Sequence, residues 1–411
     1  MVEVTDEKPD PDDVTIRVVD SMSEIDATAW DECANPVGKA SADFPYNPFL
    51  THAFFLSLEE SKSAVAETGW LGQHLVMERA GDNSVIGVLP CYLKNHSQGE
   101  YVFDHGWADA FERAGGAYYP KLQCAVPFTP ATGRRFLVGN GEESDARRDV
   151  LAGGLQQVCT RLGVSSAHVT FIEPEEADAL EASGYLHRTD QQFHWLNNNY
   201  KTFDDFLAQL SSRKRKNIKK ERAAALEASG VTIEWLTGDQ LTEDVWDIFY
   251  RFYVDTGSRK WGRPYLTREF YNLVGQRLSK DILLVMAKRD GRYVAGAINF
   301  IGSHTLYGRH WGCVEEVPFL HFEVCYYQAI DYAIANGLDR VEAGAQGGHK
   351  LARGYLPQIT HSAHYITHPD FRRAVADYLE NEKRAVEREA RLIAKHGPFK
   401  KGGTMPSESE T

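Results

Sequence analysis

The sequence predicts an α/β (α+β) protein of two homologous halves, each a mixed, mainly antiparallel sheet flanked by helices, with one further helix at the C-terminus. Three observations predict this fold class. The chain has 411 residues, which is enough for two domains. Its 43% hydrophobic and 25% charged residues are typical of a globular protein. Strand and helix patterns also recur in one order in both halves.

The recurrence rests on four short blocks of sequence. Their offset falls from 216 to 170 residues along the chain, so the first half contains extra residues, which we place at 110–141. Such an added stretch is usually a packing loop or a functional loop. The paired blocks are PFLTHAFF (48–55) with PYLTREFY (264–271), LVMERAGDNSVIG (75–87) with LVMAKRDGRYVAG (284–296), DHGW (104–107) with RHWG (309–312), and GYLHRTDQQFHWL (184–196) with GYLPQITHSAHYI (354–366).

The sequence of each half predicts the same secondary-structure elements in the same order. A helix begins after an N-capping threonine, Thr51 or Thr267. A hairpin, a third strand, an apolar helix ending at glycine, a β-branched strand, a short helix and a last strand follow. The predicted hairpin is at 74–94 in the first half and 282–302 in the second, and the third strand at 100–107 and 304–312. The apolar helix is at 150–163 and 322–337, and the β-branched strand at 167–173 and 338–344. The short helix is at 175–184 and 349–354, and the last strand at 193–196 and 362–366.

These patterns also predict the boundaries of the chain's parts. We expect an acidic disordered tail at 1–13, a first domain at 14–198, a second at 199–369, a C-terminal helix at 370–396 and a disordered tail at 397–411. No stretch approaches the length of a transmembrane helix, and the acidic N-terminus does not resemble a signal peptide. We therefore expect a cytoplasmic protein without an integral membrane segment.

Charge and cysteine content exclude several function classes. The net charge is -13, which argues against DNA binding and against an overall basic nucleic-acid binder. The six cysteines are widely spaced without a CxxC motif, which argues against a zinc site and a disulfide scaffold. The histidines His361 and His364 do not indicate a metal either, because residues three apart on a strand point to opposite faces. We therefore predict no metal.

Several strings resemble one branch of the GNAT N-acetyltransferase superfamily, the FemAB-like predicted N-acyltransferases of bacteria, described as peptidoglycan biosynthesis or recognition proteins. The resemblance implies tandem GNAT domains and acyl transfer to an amine. It also implies an activated donor, either acyl-CoA or, as in more distant relatives, aminoacyl-tRNA. The strings are VTFIEPEEADALEASGY (169–185), FHWLN (193–197), SRKRKNIKKER (212–222), LHFEVCYYQAIDYA (320–333) and EAGAQGGHKLARGYLP (342–357).

The pyrophosphate loop of GNAT proteins has no clear counterpart in the second half. The matching segment, 313–322, has no glycine, although glycine best allows main-chain N–H groups to approach a pyrophosphate. In the first half, Gly133, Arg134 and Arg135 are the candidate cofactor-binding residues. The alternative is a surface turn with two solvated arginines.

The glycine-rich loop after residue 342 is the strongest candidate site. It places Gln346, His349, Lys350 and Arg353 at the end of a strand, where α/β proteins commonly bind ligands. We interpret His349 as a general base, with Gln346, Lys350 and Arg353 binding an anionic substrate group. The alternative is a glycine-rich connection with a solvated basic turn.

Three further side chains are candidates for proton transfer. Glu342 ends the strand before the loop, and His321 and Glu323 begin the apolar helix. Amide formation needs a base to take the proton of the amine, and the ordinary pKa of histidine suits this role. For Glu323, a favourable interaction with the helix dipole is an equal alternative.

A basic run at 212–222 is the second anion-binding candidate. We predict that it lies on the helix that follows an N-cap at Thr202. Arg213, Arg215, Lys216 and Lys220 are expected to bind the phosphates of a nucleotide-linked acceptor, of a lipid headgroup or of tRNA. The alternative is a solvated charged face. Together, these features favour an N-acyltransferase of small-molecule substrates; the alternative is a non-catalytic protein that recognises a cell-wall precursor or another anionic ligand.

Overall fold

A computed structural model describes residues 13–36, 44–260, 264–344 and 348–400. In these residues the chain forms two β-sheets flanked by helices, so the predicted fold class is confirmed. The strands are β1 (Val14–Val19), β2 (Leu71–Gly72), β3 (His74–Arg79), β4 (Val85–Leu89), β5 (Tyr92–Lys94), β6 (Lys121–Cys124), β7 (Ser166–Ile172), β8 (Leu186–Leu196), β9 (Val231–Leu236), β10 (Ile282–Arg289), β11 (Arg292–Ile301), β12 (Thr305–Cys313), β13 (Arg340–Glu342) and β14 (Leu356–Ile366).

The helices cover both faces of the sheets. They are α1 (Ala27–Ala34), α2 (His52–Glu60), α3 (His105–Arg113), α4 (Ser144–Leu162), α5 (Pro174–Ala182), α6 (Phe203–Gln209), α7 (Ser212–Ala225), α8 (Glu243–Lys260), α9 (Arg268–Arg277), α10 (Leu320–Phe322), α11 (Gln328–Ala335) and α12 (Pro369–Lys395). A π-helical turn at Glu323–Tyr327 joins α10 to α11. Among the described residues, none of the helices combines the length and the apolar character that a membrane crossing requires.

One eleven-stranded sheet runs through both halves of the chain. Its order is β2-β5-β6-β7-β14-β8-β13-β12-β11-β10-β9, and β1, β3 and β4 form a separate antiparallel sheet. The last strands of the two halves, β8 and β14, are exchanged: β14 pairs with β7 of the first half, and β8 pairs with β13 of the second. Because β8 and β14 also pair with each other, the two halves share one hydrogen-bonded sheet.

The repeat is visible in side-chain detail. Thr51 and Thr267 accept main-chain N–H bonds at the starts of α2 and α9, as the predicted caps require. In the hairpins, Met77 lies opposite Gly87, and the equivalent pair in the second half has the same register. A Cβ atom added to Gly87 would lie 2.7 Å from the Met77 Cε atom, so glycine here makes room for the methionine across the ladder.

The third repeat block was wrongly interpreted as a strand in the first half. Residues 105–107 begin helix α3. The strand that corresponds to β12 of the second half is β6, because β6 pairs in parallel with β7 as β12 does with β13. Strand β6 lies inside the stretch that we treated as extra sequence. The reason is tertiary: Asp104 is buried against the ammonium group of Lys121 on β6, and helix α3 packs Trp107 over this polar face. Local strand propensity is weaker than such contacts.

The basic run also lies on a different helix from the one predicted. Thr202 caps the short helix α6, which ends at Gln209, and the cations lie on the separate helix α7. Phe399, from the segment predicted as a C-terminal tail, forms a β-bridge with Leu210 between these two helices. Helix α12 agrees with its prediction and buries Phe371, Val375 and Leu379.

Candidate active site

The main cleft lies in the second half, where strands β12 and β13 separate. The two strands are parallel and pair only over Thr305–Tyr307 and Arg340–Glu342. Beyond Tyr307, β12 continues along β11, while Ala343 and Gly344 after β13 form main-chain hydrogen bonds with Phe193 of β8. The opening has a volume of about 380 Å³. Its lining residues are Tyr253, Thr256, Gly257, Ala297, Asn299, Gly308, Arg309, His310, Trp311, His321, Cys325, Tyr326 and Ala343.

One wall of the cleft is the irregular helix that begins at α10. Phe319, with φ of 64°, precedes it, and the π-helical turn follows after three residues. π-helical turns often lie at functional sites. This wall presents His321, whose ring centroid lies 5.1 Å from that of Trp311 and 5.4 Å from that of Tyr326.

His349 joins this wall from the glycine-rich loop. The Tyr326 hydroxyl and the His349 Nε2 atom are 3.0 Å apart and form a hydrogen bond. The rings of His349 and His321 have centroids 6.1 Å apart. Burial raises the pKa of the Tyr326 phenol, so this hydroxyl keeps its proton at neutral pH. Two of the predicted proton-transfer residues are therefore neighbours at the cleft.

The opposite wall, strand β12, presents Arg309 and His310. The Arg309 Nη2 atom donates to the main-chain oxygen of Phe128, which belongs to the first half. Burial lowers the pKa of the Arg309 guanidinium. Burial, together with the charge of Arg309, lowers the pKa of His310 to about 3, so His310 is neutral at physiological pH.

Lys350 and Arg353 point their charges into the protein. The Lys350 Nζ atom donates to the main-chain oxygens of Ala343 and Gly344, the latter at 2.8 Å, and burial lowers the pKa of Lys350 to about 8. The Arg353 guanidinium is paired with Glu221 at 2.8 Å and lies over the Phe322 ring. Both cations hold the loop against its strand and helix. Gln346 lies outside the described residues.

The two predicted carboxylates lie away from the main cleft. Glu323 is fully buried beneath the helical wall, where it accepts hydrogen bonds from Arg222 at 2.8 Å and from Gln328 at 2.7 Å. Glu342 is buried on the opposite side of β13, where its Oε2 atom lies 3.4 Å from the main-chain nitrogen of Thr132. Glu323 thus anchors the π-helical turn.

The glycine and arginine segment of the first half also packs inward. Gly133 and Arg134 line a small cavity of about 20 Å³ next to Glu342. Arg134 donates to the Ala34 oxygen at 2.6 Å, and the fully buried Arg135 donates to main-chain oxygens of its own loop. Burial lowers the pKa of both guanidinium groups to about 10. A cavity of this volume has room for about one water molecule.

Helix α7 keeps several cations on its surface. Arg213, Lys216 and Lys220 are exposed, and Arg215 is half-buried. The end of the helix is tied to the cleft wall, because Arg222 pairs with Glu323. The exposed cations therefore lie on an element that is packed directly against the helix of the candidate site.

A family model described as FemAB-like, peptidoglycan biosynthesis/recognition, matches residues 21–401. The chain belongs to the FemAB-like family. No curated protein sequence matches it at a significant level.

Three solved structures share the fold of this FemAB-like protein at low sequence identity. The crystal structure of FemX has 12% identity and a TM-score of 0.51, covering 86% of this chain and 98% of its own. The C-terminal domain of a putative lysylphosphatidylglycerol synthetase from Agrobacterium fabrum has 11% identity and a TM-score of 0.52, covering 88% and 97%. A conserved protein of unknown function from Bacteroides thetaiotaomicron has 13% identity and a TM-score of 0.50, covering 86% and 100%.

Sequence reasoning missed the β12 wall of the FemAB-like cleft. Arg309, His310 and Trp311 were assigned to an ordinary strand. The signal was present in the repeat: Arg309 of RHWG aligns with Asp104 of DHGW, so the two halves carry opposite charges at this position.

The strand histidines His364 and His361 each pair with another histidine. His364 lies against His168 with their Nδ1 atoms 2.6 Å apart, while His361 bonds to His187 at 2.8 Å. The different partners fit the prediction that His361 and His364 point to opposite faces of β14.

Proposed function

We propose that this FemAB-like protein is an N-acyltransferase that transfers an acyl or aminoacyl group from an activated donor to an amine in the cleft of the second half. The observation that carries the proposal is the composition of its two walls. One presents His321 with the bonded pair Tyr326 and His349. The other is the edge of β12 beyond Tyr307, which no described strand covers on the side of β13.

This arrangement supplies the groups that direct acyl transfer needs. His321 is the proposed base for the proton of the attacking amine. The uncovered edge of β12 offers main-chain N–H groups to the oxyanion that develops on the carbonyl. Tyr326, whose hydroxyl is held by His349, is the proposed proton donor to the leaving group. The amine attacks directly, so no covalent enzyme intermediate forms.

We propose acyl-CoA as the donor, with aminoacyl-tRNA as the alternative. The cations of helix α7 support a donor with phosphates, because the helix is packed against the cleft wall. A thermal-shift panel of CoA, acyl-CoAs, UDP-linked cell-wall precursors and aminoacyl-tRNA distinguishes the donors, since a ligand that binds only the folded state raises the melting temperature.

The test of the proposed base compares two histidine variants. With a donor and a precursor amine selected by the panel, we expect His321→Asn to lower kcat by about 10²–10⁴. The control His396→Gln alters an exposed histidine after helix α12 and leaves turnover unchanged. Equal turnover in wild type and His321→Asn would contradict the assignment of the base.

The alternative function, recognition without catalysis, predicts a different pattern. It is favoured by the segment at 313–322, which has no glycine for a phosphate loop. In that case a precursor raises the melting temperature, no donor does so, and radiolabelled acyl groups are not transferred to any precursor amine.

A further inference from the structure

The charges inside the cleft are unbalanced. Among the described lining residues, Arg309 is the one lysine or arginine, and none is an aspartate or a glutamate. Among the described residues, no carboxylate forms an ion pair with it. Its hydrogen bond within the described chain goes to the Phe128 main-chain oxygen, an uncharged acceptor.

The remaining nitrogens of the Arg309 guanidinium are open to the cleft. A guanidinium carries five N–H donors, and one nitrogen of Arg309 is engaged by Phe128. Some arginine nitrogens in this protein, Arg135 Nε and Arg353 Nε, are fully buried without a hydrogen-bond partner. No nitrogen of Arg309 is among these buried, unpartnered atoms. Its other donors are therefore accessible, and a molecule in the cleft can accept from them.

We propose that Arg309 binds a carboxylate group of the substrate, such as the carboxyl group of an amino acid or of a peptide end. This inference rests on the proposed function, because it takes the molecule that occupies the cleft to be the substrate. A sheltered cation without a carboxylate partner costs free energy of folding, and a bound anion removes that cost. Planar carboxylates also match the paired N–H groups of a guanidinium.

The surroundings favour a carboxylate over a phosphate. His310, next to Arg309, is neutral, and Arg309 is the one lysine or arginine among the described lining residues, which suits the single negative charge of a carboxylate. The cleft volume of about 380 Å³ lies in the range of small-ligand sites. Tyr253, Trp311 and Tyr326 supply aromatic walls for the carbon atoms of a residue-sized group.

A matched pair of probes tests the charge preference. We expect wild type to bind N-acetylalanine about 10-fold more tightly than the neutral N-acetylalaninamide in a ligand-observed NMR titration at constant ionic strength. Arg309→Met removes this preference, and Arg309→Lys restores part of it. The control Arg292→Met alters an exposed arginine at the start of β11 and keeps the preference.

Three results would overturn the carboxylate site: equal binding of both probes by wild type, an unchanged preference in Arg309→Met, or binding of inorganic phosphate in place of N-acetylalanine. Thermal unfolding separates this from a structural role: if the cation serves a ligand, Arg309→Met lowers the melting temperature by no more than the loss of its one hydrogen bond to Phe128 explains. The titration needs no turnover, so a failed transfer assay contradicts the proposed function and leaves this binding result standing.

Discussion

Each half of the molecule contains a sheltered cation next to its own pair of parallel strands, but the groups that surround the two cations differ. Lys121 on β6 of the first half is fully buried with two carboxylates, Glu100 at 2.6 Å and Asp104. Arg309 on β12 of the second half has a main-chain oxygen as its partner and faces a cleft. The first region is closed and the second is open.

The difference distinguishes a structural charge from a binding charge. Burial acts against the ammonium of Lys121, but Glu100 and Asp104 together raise its pKa, so the cation is stable inside the protein. For Arg309, burial lowers the pKa more than the charge of Glu342 raises it. A buried charge that is paired with opposite charges of the protein stabilises the folded state. A buried charge that has no such partner in the protein is available to bind a ligand.

The largest effect that tests this comparison is expected on removing the cation of Lys121 from between Glu100 and Asp104. We expect Lys121→Met to destabilise the protein by about 3–5 kcal/mol, because two buried carboxylates lose their main partner. Urea denaturation followed by circular dichroism measures the loss. Lys201→Met, at an exposed lysine, is the control. A loss below that of Arg309→Met would contradict the assignment of structural and binding charges.

The pH dependence of stability sharpens the same contrast. His168, in the closed region, is fully buried against His364, and burial lowers its pKa to about 3. Unfolded histidine has a pKa of about 6.5, so below that pH the unfolded chain binds more protons than the folded one. Stability therefore falls as the pH drops from about 6.5 towards 3. For His168 the loss is about 2 kcal/mol at pH 5.

Urea midpoints at pH 7 and pH 5 check this expectation in wild type and in His168→Asn. The variant loses the part of the pH dependence that comes from this histidine. An equal pH dependence in both proteins would show that the His168 imidazole is not kept neutral by burial.

Much of the fold could be predicted because its signals are local. The capping threonines, the hairpins and the glycine that ends helix α4 each depend on neighbouring residues. The exchange of β8 and β14 could not be predicted, because a strand has the same alternating pattern whether it pairs with its own half or with the other one. Strand pairing over such distances is decided by the tertiary structure.

The candidate site could be predicted only in part, for a related reason. His321 and His349 stood out because one begins a helix and the other follows a glycine-rich loop. Arg309 lies within a strand, and the property that distinguishes it, the lack of a carboxylate partner, exists only in three dimensions. The partners of Lys350 and Glu323 likewise come from the folded structure, which uses these charges internally.

Helix α7 allows the smallest of these effects to be measured. Its Lys216 and Lys220 are exposed, so Lys216→Ala with Lys220→Ala is expected to change the free energy of unfolding by no more than about 0.5 kcal/mol. If the helix binds phosphates of tRNA, the double variant binds bulk tRNA more weakly, and the slope of log affinity against log salt falls by about one for each phosphate that is no longer neutralised. An unchanged slope would identify the run as a solvated face. Because Lys219 on the same helix pairs with Asp204 at 3.0 Å, Lys219→Ala is the matched control, with a smaller expected change in slope.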